Sequence, residues 1–383
     1  MKIEEIKKIA VIGAGDMGNG IAQLAAMAGY QVAMRDVEER FIQRGLSTIK
    51  KSLEKLVEKG KISLEERDAA LGRLSPLVDL EAAARGADFV IEAVPEIMDL
   101  KKQVFRDLDR FTPPHAILAT NTSNMSISEI ARATGRPDRV VGMHFFNPAV
   151  LMKLVEVIKG DKTSEETAQT AIGLAARMKK APVLVQKDSP GFIYNRVNAP
   201  TGLLLSKITE LEHPTPEEFD AAFRAILPMT PFELVDYVGI DVSCHSLSYF
   251  AEVLSPDYAP SKVIREMVNA GQLGKKTGRG FFDWSQGRPV IDPAKATKDY
   301  DVTHLIALQV NEATKLLEEG VVDDPRVIDQ AMANGGGAGI GPFTLAKGIG
   351  YDRLVARCDE LAGRFNLAVF QPTETMRKGN IVV

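Results

Sequence analysis

A glycine-rich junction between an apolar run and an amphipathic one constrains this chain more than any other feature. Residues 8–13, KIAVIG, have the length and composition of a buried strand, and DMGNGIAQLAAM follows at once with helical periodicity. Three glycines at the junction lack a side chain for different reasons. Gly13 permits a tight turn, Gly15 lets a phosphate approach the backbone, and Gly18 lets the helix close on the strand. Asp16 and Met17 open the helix, where unpaired N–H groups and the positive end of the dipole offer a site for an anion. The glycine spacing alone also suits a plain turn, so the next strand carries weight. QVAMRD (31–36) ends in Asp36, a carboxylate placed to bind ribose hydroxyls and to repel a 2′-phosphate. The expected cofactor is therefore NAD, although Arg35 beside Asp36 would favour the extra phosphate of NADP.

The alternation continues. ADFVIEAV, AILATN, RVVGMHF, KLVEVI and APVLVQ are further strand candidates, giving seven in all and a parallel α/β sheet over residues 1–188. Between the second and third, Glu38 to Arg73 carries apolar residues at helical spacing and predicts a projecting helical pair. After KDSPGF the strand patterns stop and the remainder reads as helical. SQGRPVIDPAKATKDYD (285–301), rich in proline, glycine and charge, has the composition of a flexible linker.

Either side of that linker the sequence repeats. PFELVDYVGID (231–241) aligns without gaps to PFTLAKGIGYD (342–352), EEFDAAF resembles RVIDQAM, and PSKVIREMVNAG resembles PTETMRKG. The expected architecture is an α/β domain over 1–188, a helical domain over 189–292 and a second helical copy over 293–383. The two copies are expected to pair within the chain. The second copy has no counterpart of GFIYNR (191–196) and is not expected to form a site.

Bulk properties exclude several classes. A net charge of -4 gives no electrostatic footprint for nucleic acid or an anionic membrane. No apolar run approaches the ~20 residues of a membrane span, and the acidic start MKIEEIKK does not read as a signal peptide. Cys244 and Cys358 lack motif spacing, which fits a reducing cytoplasm and no metal site.

The chemical signal lies in MHFFNPAVLMKLVEVI (143–158). His144 follows a strand and is expected at a carboxyl edge of the sheet, where open α/β sheets place ligands. Glu156 sits in a strand that is apolar on both faces, and a buried carboxylate needs a partner. An imidazole suits that need, because the carboxylate fixes its tautomer and stabilises the imidazolium once a proton is taken up. A structural His–Glu hydrogen bond in a core is the other reading of these two residues alone.

With these motifs in place, the chain closely resembles the 3-hydroxyacyl-CoA dehydrogenase family. The likeness runs through IAVIGAGDMGNGIAQ, VIEAVPE, ATNTSNMSI, GMHFFNPAVLMKLVEVI, DSPGFIYNR, PFELVDYVGID and GKKTGRGFF, over about residues 7 to 285. It implies a Rossmann-like domain followed by a helical domain, with reversible NAD-dependent oxidation of (S)-3-hydroxyacyl-CoA, such as 3-hydroxybutyryl-CoA, to the 3-ketoacyl-CoA. It makes His144 the base and Glu156 its partner, with Ser123 and Asn195 on the substrate. It puts Glu96, Lys101 and Asn147 near the nicotinamide, and Ser52 and Lys59 near CoA. FRAILPMTPF departs from the glycine-rich approach usual before Gly-Pro-Phe, which the second copy keeps in ANGGGAGIGPF. The chain stops partway through the second copy's terminal helix motif, and two-copy relatives often continue into an enoyl-CoA hydratase domain. Two other functions remain open at this point: dehydrogenation of free hydroxy or sugar acids, and non-catalytic binding of NAD or acyl-CoA.

Overall fold

The computed structural model describes residues 2–336 and 339–383, so Gly337 and Ala338 of the second copy's glycine-rich approach lie outside the described residues. Two compact units form, residues 1–193 with 320–341, and residues 194–319 with 342–383.

The first unit is built on eight strands, β1 (Lys8–Ile12), β2 (Gln31–Arg35), β3 (Leu74–Leu77), β4 (Phe89–Glu92), β5 (Ile117–Thr120), β6 (Val140–Phe145), β7 (Leu154–Ile158) and β8 (Ala181–Val185). Their order across the sheet is β3-β2-β1-β4-β5-β6-β7-β8. All neighbours run parallel except β6 and β7. The switch from β3-β2-β1 to β4 opens a crevice at the strand ends, where ligands of open α/β sheets bind. β4, β5, β6 and β7 are buried along their whole length, as expected for strands covered on both faces.

The expected seven strands omit β3. Its sequence, LSPL, contains Pro76, which cannot donate to a sheet and is tolerated on an edge strand. The helical pair forms as Glu39–Glu58 and Leu64–Gly72. Its inner face does not project freely, because Ile42, Ile49 and Leu53 belong to the sheet's hydrophobic core.

The opposite edge departs from the domain expectation. Residues 320–341 fall in the second copy by sequence, yet they cluster with the sheet unit. Val321 and Val322 are buried, and the Val321 carbonyl accepts from the Gln186 N–H just past β8. The helix Pro325–Gly335 packs on β7 and β8. Covering an edge strand in this way satisfies groups that would otherwise invite another chain.

The helical unit contains the repeat. In the first copy Pro231–Val238 ends at Gly239 (φ 123°) and Ile240–Val253 begins; in the second, Pro342–Ile349 ends at Gly350 (φ 95°) and Tyr351–Phe365 begins. A residue with a Cβ resists that backbone angle, so glycine recurs at both corners. Another device repeats too. Ser261 Oγ meets Thr209 Oγ1 at 2.8 Å while the Ser261 N–H donates to Ser206; Thr373 Oγ1 meets Thr314 Oγ1 at 2.7 Å while the Thr373 N–H donates to Asn311. The helix Val302–Glu318 packs against Tyr194–Ile208 of the first copy, so the two copies pair at this face within one unit.

The 285–301 stretch is not a loose linker. Arg288 pairs with buried Glu233, Lys295 with Glu217, and the Thr297 N–H donates to the Glu218 carbonyl. Tyr300 is buried against Phe219. Composition marks a chain without secondary structure but does not reveal the side chains that strap it down.

Candidate active site

β6 and β7 run antiparallel with His144 directly opposite Glu156. Opposed residues project on one face, so the twelve positions separating them in sequence become one cross-strand pair. His144 Nδ1 lies 2.6 Å from Glu156 Oε2. The histidine is 4% exposed and the glutamate 0%. The other carboxylate oxygen accepts from the Ile193 N–H at 3.0 Å. Phe146 and Phe192 stack near the imidazole, with centroids at 4.3 and 5.9 Å. With Nδ1 donating to a fixed carboxylate, the neutral ring keeps its lone pair on Nε2.

The glycine turn has the shape a dinucleotide needs. Gly13 adopts φ 109°, and a Cβ on Gly18 would lie 1.8 Å from the Gly13 carbonyl oxygen. Around Gly15 a Cβ would meet nothing within 4 Å, which leaves room for a pyrophosphate over the helix Asp16–Met27. Asp16 and Met17 form its first turn. Asp36, just past β2, accepts from the N–H groups of Ala14 and Val37, both at 2.7 Å, and so ties its carboxylate to the turn. Arg35 donates from Nε to the Val78 carbonyl. These residues fit NAD.

Between these places lies a polar network that the sequence only partly exposed. Lys101, 1% exposed, donates from Nζ to Glu92 Oε1 at 2.8 Å and lies 3.2 Å from Glu96 Oε2. Glu92 also accepts from Thr120 Oγ1 and the Val94 N–H. Burial pushes its carboxyl up, against the pull of Lys101 and these donors. Glu96 accepts from Thr122 Oγ1 and from the Ser123 N–H at 2.6 Å. The structure thus brings Glu96, Lys101 and Ser123 into one cluster. Glu92, absent from the sequence expectation, is a carboxylate ending an apolar strand, the same signal that identified Glu156.

Two further supports were missed. Asn121 Oδ1 accepts from the Phe145 N–H at 2.9 Å, which fixes the chain beside His144. Lys180 Nζ donates to the carbonyls of Ala149 and Met152, holding the loop that follows Asn147; burial brings its amine down to about 8. Neither contact has a local signature in sequence.

Ser52 lines a cavity of about 450 Å³ with Leu24, Met27, Leu56, Ile62 and Leu151, whereas Lys59 is an exposed helix cap outside that lining. Asn195 belongs to the helical unit. It stands in the first turn of Tyr194–Ile208 and lines a cavity of about 160 Å³ with Asn198, Gly202, Ser243 and Ser246. No cluster able to hold a metal ion occurs among the described residues, and no described helix is long and apolar enough to cross a membrane.

Comparison with known proteins agrees with this layout. The family description "3-hydroxyacyl-CoA dehydrogenase, NAD binding domain" matches residues 8–189. Its C-terminal domain matches twice, over residues 191–284 and 300–379. A probable 3-hydroxybutyryl-CoA dehydrogenase of Bacillus subtilis is 45% identical over 291 residues, 74% of this chain and 99% of that protein. A fatty acid oxidation complex subunit alpha of Psychrobacter cryohalolentis is 35% identical over 94% of this chain and 53% of its own length. The crystal structure of 3-hydroxybutyryl-CoA dehydrogenase from Escherichia coli K12 superposes with a TM-score of 0.90 at 30% identity, covering 98% of both chains.

Proposed function

The chain belongs to the 3-hydroxyacyl-CoA dehydrogenase family, and from that premise we propose that it oxidises a short-chain (S)-3-hydroxyacyl-CoA, such as 3-hydroxybutyryl-CoA, to the 3-ketoacyl-CoA through a His144–Glu156 dyad. The buried cross-strand pair at 2.6 Å carries this reading. With Nδ1 committed to Glu156, Nε2 takes the hydroxyl proton, and the carboxylate stabilises the imidazolium that results. NAD, when bound, supplies the hydride acceptor. In the reverse direction the imidazolium returns its proton to the carbonyl oxygen.

The remaining residues bind and orient. The Gly13–Gly18 turn holds the pyrophosphate and Asp36 the adenosine ribose, while Glu96, Lys101 and Asn147 serve the nicotinamide half. Ser123 hydrogen-bonds the substrate oxygen, and Asn195 helps to polarise and position the substrate. Ser52 and Lys59 serve the CoA end, and the mostly apolar cavity beside Ser52 supports a place for an extended thiol arm. The class of enzyme that supplies this substrate is an enoyl-CoA hydratase, fused or separate. The free cysteines Cys244 and Cys358 suit a reducing compartment, and we assign the enzyme to the cytoplasm.

Loss of NADH absorbance tests the substrate class. Acetoacetyl-CoA should be reduced with a kcat/KM at least about tenfold above that of free acetoacetate, because the CoA end adds binding energy realised at the reacting centre. Equal efficiency with the free acid would defeat the thioester reading and favour a hydroxy-acid dehydrogenase.

A further inference from the structure

The second helical copy lacks the motif that carries Asn195, yet it presses a charged face against the helix bearing that residue. We propose that Glu312 of the second copy is a positioning residue for the reaction. It holds Arg196, and through Arg196 it sets the placement of the neighbouring Asn195. The inference rests on the reading of Asn195 as a substrate contact.

Arg196 and Asn195 share the first turn of Tyr194–Ile208. Adjacent helical residues differ by about 100° around the axis, so fixing one side chain fixes the direction of the next. Arg196 is 4% exposed. Its Nε lies 2.5 Å from Glu312 Oε1, and a terminal nitrogen lies 2.8 Å from Glu319 Oε1. A planar guanidinium shared by two carboxylates resists both rotation and sliding of its helix. Glu312 is itself held, because Lys315 Nζ donates to Oε2 at 2.9 Å and Tyr258 Oη reaches the same oxygen at 3.4 Å. One helical turn earlier, Gln309 Nε2 donates to Asn198 Oδ1 at 3.0 Å, and Asn198 lines the same cavity as Asn195. The second copy therefore grips the Asn195 helix at two polar points.

The first copy cannot supply this grip to itself. The repeated tethers set Ser206 and Thr209 in register with Asn311 and Thr314. In that register Glu312 stands where the first copy has Lys207. Self-pairing of the first copy in the same geometry would oppose a buried arginine with a lysine, a repulsive arrangement. The duplication is thus functional: the copy without a site completes the copy that has one.

A double-mutant cycle in the full-length enzyme tests the coupling. Glu312→Gln should lower kcat/KM for acetoacetyl-CoA by about tenfold to a hundredfold, the scale of a small misplacement at a reacting centre, with NADH binding unchanged. In an Asn195→Ala background the same substitution should cause no further loss, since residues acting through one group are non-additive. Equal losses in both backgrounds, or full activity of Glu312→Gln alone, would overturn the proposal. Full activity of Asn195→Ala would instead refute the reading of Asn195. If Glu312→Gln does not fold, Glu319→Gln keeps the inner contact and enters the same cycle. Its loss should be smaller and should also vanish in the Asn195→Ala background; an additive loss would overturn the proposal.

Discussion

Two strands of one sheet each bury a glutamate completely, and the partners differ. Glu156 on β7 meets an imidazole, and Glu92 on β4 meets an ammonium. Both carboxylates are satisfied by additional donors, the Ile193 N–H for Glu156, and Thr120 with the Val94 N–H for Glu92. What separates them is the partner's acid–base range. Free histidine exchanges its proton near pH ~6.5 and free lysine near ~10.4. As a chemical type, an imidazole can take and return a proton near neutrality and an ammonium cannot. The Lys101 ammonium lies beside Glu96, which also accepts from the Ser123 N–H. On the reading proposed above, burial of a carboxylate marks the place and its partner sets whether that place serves proton transfer or architecture.

Breaking the first pair should have the largest effect. His144→Gln should lower kcat by at least ~10²–10⁴-fold, the usual contribution of general acid–base catalysis, with NADH affinity retained in a fluorescence titration. Glu156→Gln should also be slow. Its imidazolium loses the counter-charge, so the acidic limb of the oxidation profile should move to lower pH. Near-normal turnover in the first variant, or an unmoved limb in the second, would reduce the pair to a core contact.

The second pair should answer differently. Glu92→Gln leaves a buried ammonium with Glu96 as its remaining carboxylate. Removing one member of a buried ion pair typically costs ~3–5 kcal/mol, and the loss should appear in denaturant unfolding and in weaker NADH binding. The pH limbs of whatever turnover remains should stay where they were. A displaced limb would place Glu92 in the proton path and erase the contrast with Glu156.

Much of this arrangement was legible in sequence where a residue type contradicted its surroundings. Glu156 in LVEVI and three glycines within six residues after KIAVI are such contradictions, and both mark candidate sites. The repeat was legible because corners that demand glycine, Gly239 and Gly350, recur with their flanking helices. What stayed hidden depended on pairing across the chain. β3 is absent from the sequence expectation because Pro76 is tolerated in a strand only through its edge position. Residues 320–341 join the sheet unit because the chain just beyond β8 offers the Gln186 N–H as a donor, which local periodicity does not record. Arg196 and Glu312, 116 positions apart in the chain, are ordinary helical charges until folding brings them together. The expectations for Ser123 and Asn195 on the substrate, Asn147 near the nicotinamide, and Ser52 and Lys59 near CoA came from family resemblance, since such residues alone pass for turn, cap or solvated positions.

A half-buried charge extends the comparison to its weak limit. Asp301 caps the helix Val302–Glu318, accepting from the Thr303 N–H at 2.8 Å, with Arg357 at 3.0 Å. Although burial opposes ionisation, hydrogen bonds from Thr303 and the Arg357 charge hold its carboxyl down at about 2. A folded-state value below the unfolded one stabilises the fold above the unfolded value of ~3.9, and that contribution disappears as pH falls toward the folded one. The side chain is 42% exposed, so solvent screens much of the interaction. Asp301→Asn keeps an amide oxygen able to cap the helix and removes only the charge. It should therefore cost no more than ~1 kcal/mol near neutral pH, far less than either buried pair, with kcat unchanged. The gap in melting temperature between the two proteins should narrow between about pH 5 and about pH 3. A gap that widens on acidification would contradict the sign, and a loss as large as that of Glu92→Gln would remove burial as the variable that ranks these charges.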